Sequence, residues 1–359
     1  MQYRDVTIQP AMAIANAGTA TFDIDVTQPL TQIEVVFALT NAAARCPNLP
    51  CHTQITRIEL VDGGTVYASL DAAQALGDFA YNAGKYAPGW NDERANSGQN
   101  VTIPIRFGRY LGDPLRNFDP TKLRNPQIRV TWINNALHLA GSKTLGIRAK
   151  ILDGVAGASS CLFTTAVRTF LTVAAGIEVT ELPTDYPIRR LYFALNTGVP
   201  VSPSVITWAR LDCDEGKFIA LDRSTWELAE EAEEIFGTVM LRNWYNVNSL
   251  DWRETWLGIT HIVVANTETA ADYVNARVGD DGRTQLCGAS NAGVALALAD
   301  VETCAQGALP HSVFPIVFGD PMDPATYFNA GAYRKVKLNL TQAFAGINCT
   351  ILVQQDRPM

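Results

Sequence analysis

One order of short motifs runs through this 359-residue chain twice, and that duplication limits the fold more than any other feature. Phe37-Ala38-Leu39-Thr40 recurs as Phe193-Ala194-Leu195-Asn196. Ile55-Thr56 with Leu60 recurs as Ile206-Thr207 with Leu211, and Leu70-Asp71 recurs as Leu221-Asp222, both at an offset of 151 residues. In each copy a helical pattern is expected directly after the repeated aspartate. Pro104-Ile105-Arg106-Phe107-Gly108 then recurs as Pro315-Ile316-Val317-Phe318-Gly319, at an offset of 211. Asp-Pro turns follow both: Asp113-Pro114 and Asp119-Pro120 in the first copy, Asp320-Pro321 and Asp323-Pro324 in the second. Self-similarity in a fixed order marks a repeated structural unit. The two offsets differ by 60 residues, so the second copy carries an excursion of that length within about 237–312.

The unit reads as a β-sandwich. Phe22, Ile24 and Val26 alternate with Asp23 and Asp25, and Val101, Ile103 and Ile105 alternate with Thr102, Pro104 and Arg106. The same alternation runs through Ile128–Trp132, Ile147–Ile151 and Val336–Leu340. Side chains of a strand point alternately to opposite faces, so each segment has one buried and one wet side. Short strands separated by Gly, Pro, Asn and Asp turns belong to sandwiches. Helices are few. Asp71 is placed to cap one, and Ser224 another, with Glu227 completing a capping box. The division expected is residues 1–155 and 160–359, joined by the small-residue stretch Asp153–Ser160. Sixty residues exceed a bare loop. The excursion is therefore expected to fold, packed on its own Trp244, Trp252 and Trp256.

Composition narrows the function. Hydrophobic residues make up 47% of the chain, enough for a large core without disulfides or metal. The formal net charge of −8, with no Lys/Arg run, argues against coating nucleic acid. Seven irregularly spaced cysteines imply no disulfide framework, and the start of the chain lacks a signal-peptide layout, so a reducing cytoplasm is the expected compartment.

Candidate chemistry has a plain alternative each time. Cys46, Cys51 and His52 could hold zinc, but no fourth ligand is visible and the prolines between them suit a loop. Asp212, Asp214 and Glu215 could bind calcium or only solvate a turn, as could Asp280 and Asp281. The excursion's tryptophans could form a sugar platform or a local core. His52, His138, His261 and His311 fall in no catalytic motif, and no P-loop, nucleophile elbow or dinucleotide fingerprint occurs. No catalytic, cofactor-binding or metal residue is assigned, and no cofactor is expected.

Two tandem sandwiches, a capped helix after the Ile-Thr-x-x-x-Leu strand of each and one large excursion resemble the double jelly-roll major capsid proteins. These build tailless icosahedral viruses of the adenovirus-hexon lineage, with a bacteriophage as the expected source. The likeness is carried by Gln54–Ala83 with Val101–Trp132, and by Val205–Phe236 with Val313–Leu340. It is one of architecture, since the family has no fingerprint motif. It implies an all-β fold of two eight-stranded jelly rolls, each with a short helix, and a tower formed by the insertion. It further implies a non-enzymatic subunit that trimerises into pseudo-hexameric capsomers tiling a virion shell, assembled in the host cytoplasm. Partners would be copies of itself, neighbouring capsomers, penton and minor capsid proteins and an internal membrane, with no specific nucleic-acid recognition. The N-terminus departs from this by showing no basic or amphipathic arm. Two other readings stay open: a spike that reads a host glycan, and a glycan-processing enzyme on paired jelly rolls.

Overall fold

Each alternating segment becomes a strand with its apolar side turned inward. The structure, a computed structural model, describes residues 3–42, 50–133, 141–196, 203–247, 253–254, 256–267, 272–278, 284–290 and 299–359. The first copy comprises β1 (Tyr3–Ala13), β2 (Gly18–Asp23), β3 (Leu30–Thr40), β4 (Ile55–Asp62), β5 (Thr65–Leu70), helix α1 (Ala72–Ala83), β6 (Gly89–Asp92), β7 (Gly98–Arg106), β8 (Pro126–Trp132) and β9 (Lys143–Leu152). The second opens with β10 (Ser160–Leu171), β11 (Gly176–Glu181), β12 (Ile188–Asn196), β13 (Ile206–Cys213), β14 (Phe218–Ser224) and helix α2 (Thr225–Phe236). The excursion supplies β15 (Val239–Val247), β16 (Arg253–Glu254), β17 (Leu257–Thr267), β18 (Asp272–Val278), β19 (Thr284–Ser290) and β20 (Ala299–Pro310). The copy then closes with β21 (Val313–Val317), β22 (Val336–Gln342) and β23 (Asn348–Pro358).

The strand order is the same in both copies. In the first, β1-β9-β3-β7 faces β2-β8-β4-β5; in the second, β10-β23-β12-β21 faces β11-β22-β13-β14. Both are the two four-stranded sheets of a jelly roll. Irregularities recur at matching places as well. The fourth strand shifts register between Ile55 and Arg57 in roll one and between Ile206 and Trp208 in roll two. Its pairing with the fifth slips between Leu60 and Val61, and again between Leu211 and Asp212. The third strand slips between Leu30 and Gln32, and between Ile188 and Arg190. Leu30 bridges Phe118 just as Ile188 bridges Phe328. A bulge is a built feature of a ladder, and its recurrence fixes the alignment residue by residue.

That alignment corrects two of the sequence matches by two residues. Counted from the bulges, Phe193 stands where Val35 stands, not Phe37. Leu60 pairs with Ala68 and Leu211 with Leu221, so the counterpart of Asp71 is Ser224 rather than Asp222. Asp222 lies inside β14. The helix caps agree with this register: Asp71 with Gln74 and Ser224 with Glu227 both form capping boxes.

Each roll has its own core. Roll one buries Ile33, Val35, Phe37, Ile58, Ile103 and Ile147, and roll two Leu191, Phe193, Leu211, Phe314, Leu338 and Ile351. Phe193 stacks on Phe314 with ring centroids 4.7 Å apart. Full burial of one such side chain contributes about 1.5–3 kcal/mol. The excursion is sheeted, as expected, but it is not self-contained. Strand β15 pairs in parallel with β6 of roll one, extending that sheet through β20 and β17. Its root buries Val239, Leu241, Trp256 and Leu257 against Ala80 of α1. Trp256 packs edge-on to His52 at 4.8 Å, and Trp244 lies 6.1 Å from Trp90. The tryptophans thus clamp the excursion to roll one instead of forming a separate core; Trp252 lies outside the described residues.

Candidate functional site

Of the candidate ligand clusters, Cys51, His52, Asp212 and Asp214 are buried or hydrogen-bonded to backbone. Cys46 lies outside the described residues. Cys51 and His52 are buried, and burial pushes the Cys51 thiol up to about 12 and His52 down to about 3, conditions that disfavour a thiolate ligand. His52 sits 4.5 Å from His311, whose Nε2 is hydrogen-bonded to Tyr86 Oη. Burial and the neighbouring His52 hold His311 well below the ordinary histidine range. This neutral cluster forms the floor where the excursion meets roll one. Beside it runs a cleft of about 480 Å³ lined by Lys85, Trp90, Asn91 and Asn243. His261 bonds Glu233 Oε2 at 2.8 Å on the surface, and His138 lies outside the described residues.

The acidic turn is held by backbone. Asp212 Oδ1 accepts from Gly216 N at 2.6 Å, and Asp214 Oδ1 accepts from Arg334 N and Lys335 N at 2.9 and 3.0 Å. These carboxylates stitch a loop, and Asp280 and Asp281 lie outside the described residues. Among the described residues no group of three or more His, Cys, Asp or Glu is placed to hold a metal. Trp256 is buried, and Arg94 lies over one face of the half-buried Trp244 at 4.9 Å. Leu182 is buried in the core of roll two, and Ala87 in that of roll one.

What the molecule does build with care is the junction between its rolls. Strand β5 ends one sheet of roll one and β10 begins one of roll two; they pair in parallel at Ser69 and Thr165, joining the two into one eight-stranded sheet. Helix α1 covers the outer face of β10-β23-β12-β21. A Cβ on Gly77 would fall 2.6 Å from Val313 Cγ2, so only glycine fits at this approach. One turn of α1 carries the polar half of the contact. Asp78 Oδ1 accepts from Tyr192 Oη at 2.5 Å and Gln354 Nε2 at 3.1 Å, and Asp78 Oδ2 accepts from Thr164 Oγ1 at 3.2 Å. Asn82 Oδ1 accepts from Arg189 and Arg190 Nη1 at 2.7 and 2.9 Å. Tyr81 Oη donates to Val313 O at 2.5 Å. Both arginines are buried, and burial with the adjacent Arg190 brings Arg189 down to about 10. Arg190 also stacks over Phe236 at 4.7 Å. A buried charge is tolerable only when so partnered.

The corresponding surfaces of roll two are more exposed. Strand β14 and helix α2 hold in roll two the places of β5 and α1, and among the described residues β14 pairs with no strand beyond β13. Ile219 and Trp226 are 41% and 51% exposed, and Phe218, 47% exposed, stacks on Tyr333 with ring centroids 5.6 Å apart. On the sheet face beyond, Ile177 and Val179 are more than half exposed. The sequence signalled this only weakly, through Ile177 and Val179 alternating with Glu178 and Thr180. It gave no sign of the Asp78–Tyr192–Gln354 contact, whose members are far apart in the chain.

No family model and no curated protein matches this sequence. Solved structures do. The STIV major capsid protein matches with a TM-score of 0.61 at 11% identity, over 99% of this chain and 96% of that one. The major capsid protein P2 of bacteriophage PM2 matches at 0.57 and 9%, over 99% and 98%. The PBCV-1 virus capsid matches at 0.57 and 10%, over 99% and 93%. The chain therefore has the double jelly-roll fold from end to end, as its sequence pattern implied.

Proposed function

Taking that fold as the premise, we propose that this chain is the major capsid protein of a tailless icosahedral virus, a structural subunit and not an enzyme. Three copies form a block with six jelly-roll lobes, and the blocks tile the virion shell, meeting penton and minor capsid proteins at its edges. The chain divides into rolls at 1–155 and 160–359, and the excursion at 237–312 forms the projecting tower. The carrying observation is the duplication itself. Two rolls with one strand order and one set of bulges are fused rigidly through Asp78 and Asn82. A brick that must present near-equivalent sides to its neighbours needs this, and an active site does not. The neighbours' names, all capsid proteins, support the reading. Fold alone does not set function, so the test is biochemical. Light scattering on the purified chain is expected to give three times 39.0 kDa. A monomer that cleaves a glycan would overturn the proposal.

A further inference from the structure

We propose that the wedge between roll one and the excursion admits an extended, acidic peptide as an added strand. The proposal goes beyond the capsid reading and does not rest on it. Among the described residues, β6 and β15 are joined at two positions, Asn91 with Asn243 and Asp92 with Trp244. Toward their N-terminal ends the strands part, and the cleft lies between residues 84–91 on one side and 238–243 on the other. Strand edges with unpaired N–H and C=O groups are templates for another chain.

The hydrogen bonds at the closed end fix which groups face the wedge. Trp244 O accepts from Glu93 N at 2.9 Å, so this carbonyl points toward roll one. Direction alternates from residue to residue along a strand. The N–H and C=O of Met240 and the N–H of Arg242 therefore face the same way, whereas Val239, Leu241 and Asn243 turn theirs to β20. Opposite them, Pro88 O accepts from Thr102 N at 2.9 Å on the β7 side, which turns the N–H and C=O of Gly89 into the wedge. No ladder pairing among the described residues reaches Met240 or Gly89 across it. Deeper in, Asn91 Nδ2 donates to Asn243 Oδ1 at 3.0 Å, which leaves Asn91 Oδ1 and Asn243 Nδ2 buried without a described partner, as is Trp256 Nε1. All three residues line the cleft. A buried polar group left unpaired is costly, and an entering chain brings its own N–H and C=O groups to this end.

The lining sets the charge of the occupant. On a chain whose formal net charge is −8, the cleft is lined by Lys85 and Arg242 and by no carboxylate among the described residues. Arg242 is already bonded to Glu302 of β20, whereas the exposed Lys85 makes no ion pair with a described residue. Lys85 thus supplies the uncompensated charge at the mouth. At about 3.3 Å per residue, the stretch 238–242 has room for about five residues of added strand. Alternate side chains of such a segment share one face, so two acidic residues spaced by one both reach the mouth. Main-chain groups at strand spacing are the means by which an extended peptide adds to a sheet, and they favour a peptide over a glycan.

Fluorescence anisotropy of a labelled peptide on the full-length chain tests this. The peptide Thr-Asp-Val-Glu-Thr is expected to bind saturably, with a dissociation constant below about 1 mM. Thr-Asp-Pro-Glu-Thr keeps both charges but lacks one N–H, and is expected to bind about tenfold more weakly. Thr-Lys-Val-Lys-Thr is expected not to bind. Lys85→Glu in the protein is expected to weaken binding of the first peptide by about tenfold or more with the far-ultraviolet spectrum unchanged. Absence of saturable binding would overturn the proposal. So would equal affinity for the proline analogue, which means attraction by charge alone, or indifference to Lys85→Glu, which means a site elsewhere. Binding of 3′-sialyllactose in place of the peptide would make the occupant an acidic glycan and likewise overturn it. None of these results bears on the trimer measured by light scattering.

Discussion

The two rolls share a strand order, their bulges and their helix caps, yet their outer surfaces differ. On β2 of roll one the outward positions are Thr19, Thr21 and Asp23; the matching positions on β11 of roll two are Ile177, Val179 and Glu181. On β4 stand Arg57 and Glu59, linked at 2.6 Å, where β13 has Trp208 and Arg210. The inner faces of the central strands diverge less: Ile58, Leu60, Ile128 and Val130 answer to Ala209, Leu211, Leu338 and Leu340, all buried, whereas on the edge strands Ala20 and Phe22 answer to Glu178 and Thr180. Core positions keep what the fold requires, and surface positions record what each roll touches. The outer face of β10-β23-β12-β21 is buried by α1, so it carries Tyr192, Leu352 and Val313 within roll one's own core cluster. The matching face of roll one carries Glu34, Arg148 and Thr102.

Paired substitutions sharpen this contrast. Asp78→Ala strips the acceptor from Tyr192 and Gln354 and leaves buried arginines without a nearby anion; a loss of about 3–5 kcal/mol is expected in urea unfolding. Glu231→Ala, at the same turn of the other helix, is expected to change the isolated chain by less than about 0.5 kcal/mol. Equal costs would erase the distinction between the two helices.

Acid is expected to act on the floor of the excursion. His52 and His311 are neutral when folded, with values below the ordinary 6.5, while the unfolded chain takes up protons near that value. Their contribution is complete above pH 6.5. It falls by about 1.4 kcal/mol per histidine for each pH unit below that, down to about pH 3 for His52. Urea midpoints at pH 7.5 and 5.0 measure the slope, and His311→Gln should flatten it.

Gly77→Ala drives a Cβ against Val313 and is expected to cost about 1–3 kcal/mol, whereas Glu230→Ala should be silent in the same unfolding assay. Smallest of all, Ile177→Thr with Val179→Thr copies roll one's polarity onto roll two and is expected to shift stability by less than about 0.5 kcal/mol. A large loss there would mean the pair is part of the core after all.

Much of this was legible in the chain. Both helix caps, the Ser224–Glu227 capping box, the alternating strands and the length of the excursion follow from residue spacing. The register did not. The turn from Cys213 to Phe218 is two residues longer than that from Asp62 to Thr65, and a period-two pattern looks the same after a slip of two. String matching therefore aligned Asp71 with Asp222, while the ladder aligns it with Ser224. The inter-roll contact had one visible sign, Arg189-Arg190 inside an otherwise apolar strand, but its partners on α1 lie more than a hundred residues away. The meeting of His52 with His311 had no local sign, because it is made by the fold and not by either segment.

Electron cryomicroscopy of particles containing this chain tests the central claim most directly. The account expects flat facets of six-lobed blocks, each block accommodating three copies with two lobes apiece. Density for the chain confined to projections at the vertices, on a shell built of something else, would contradict it.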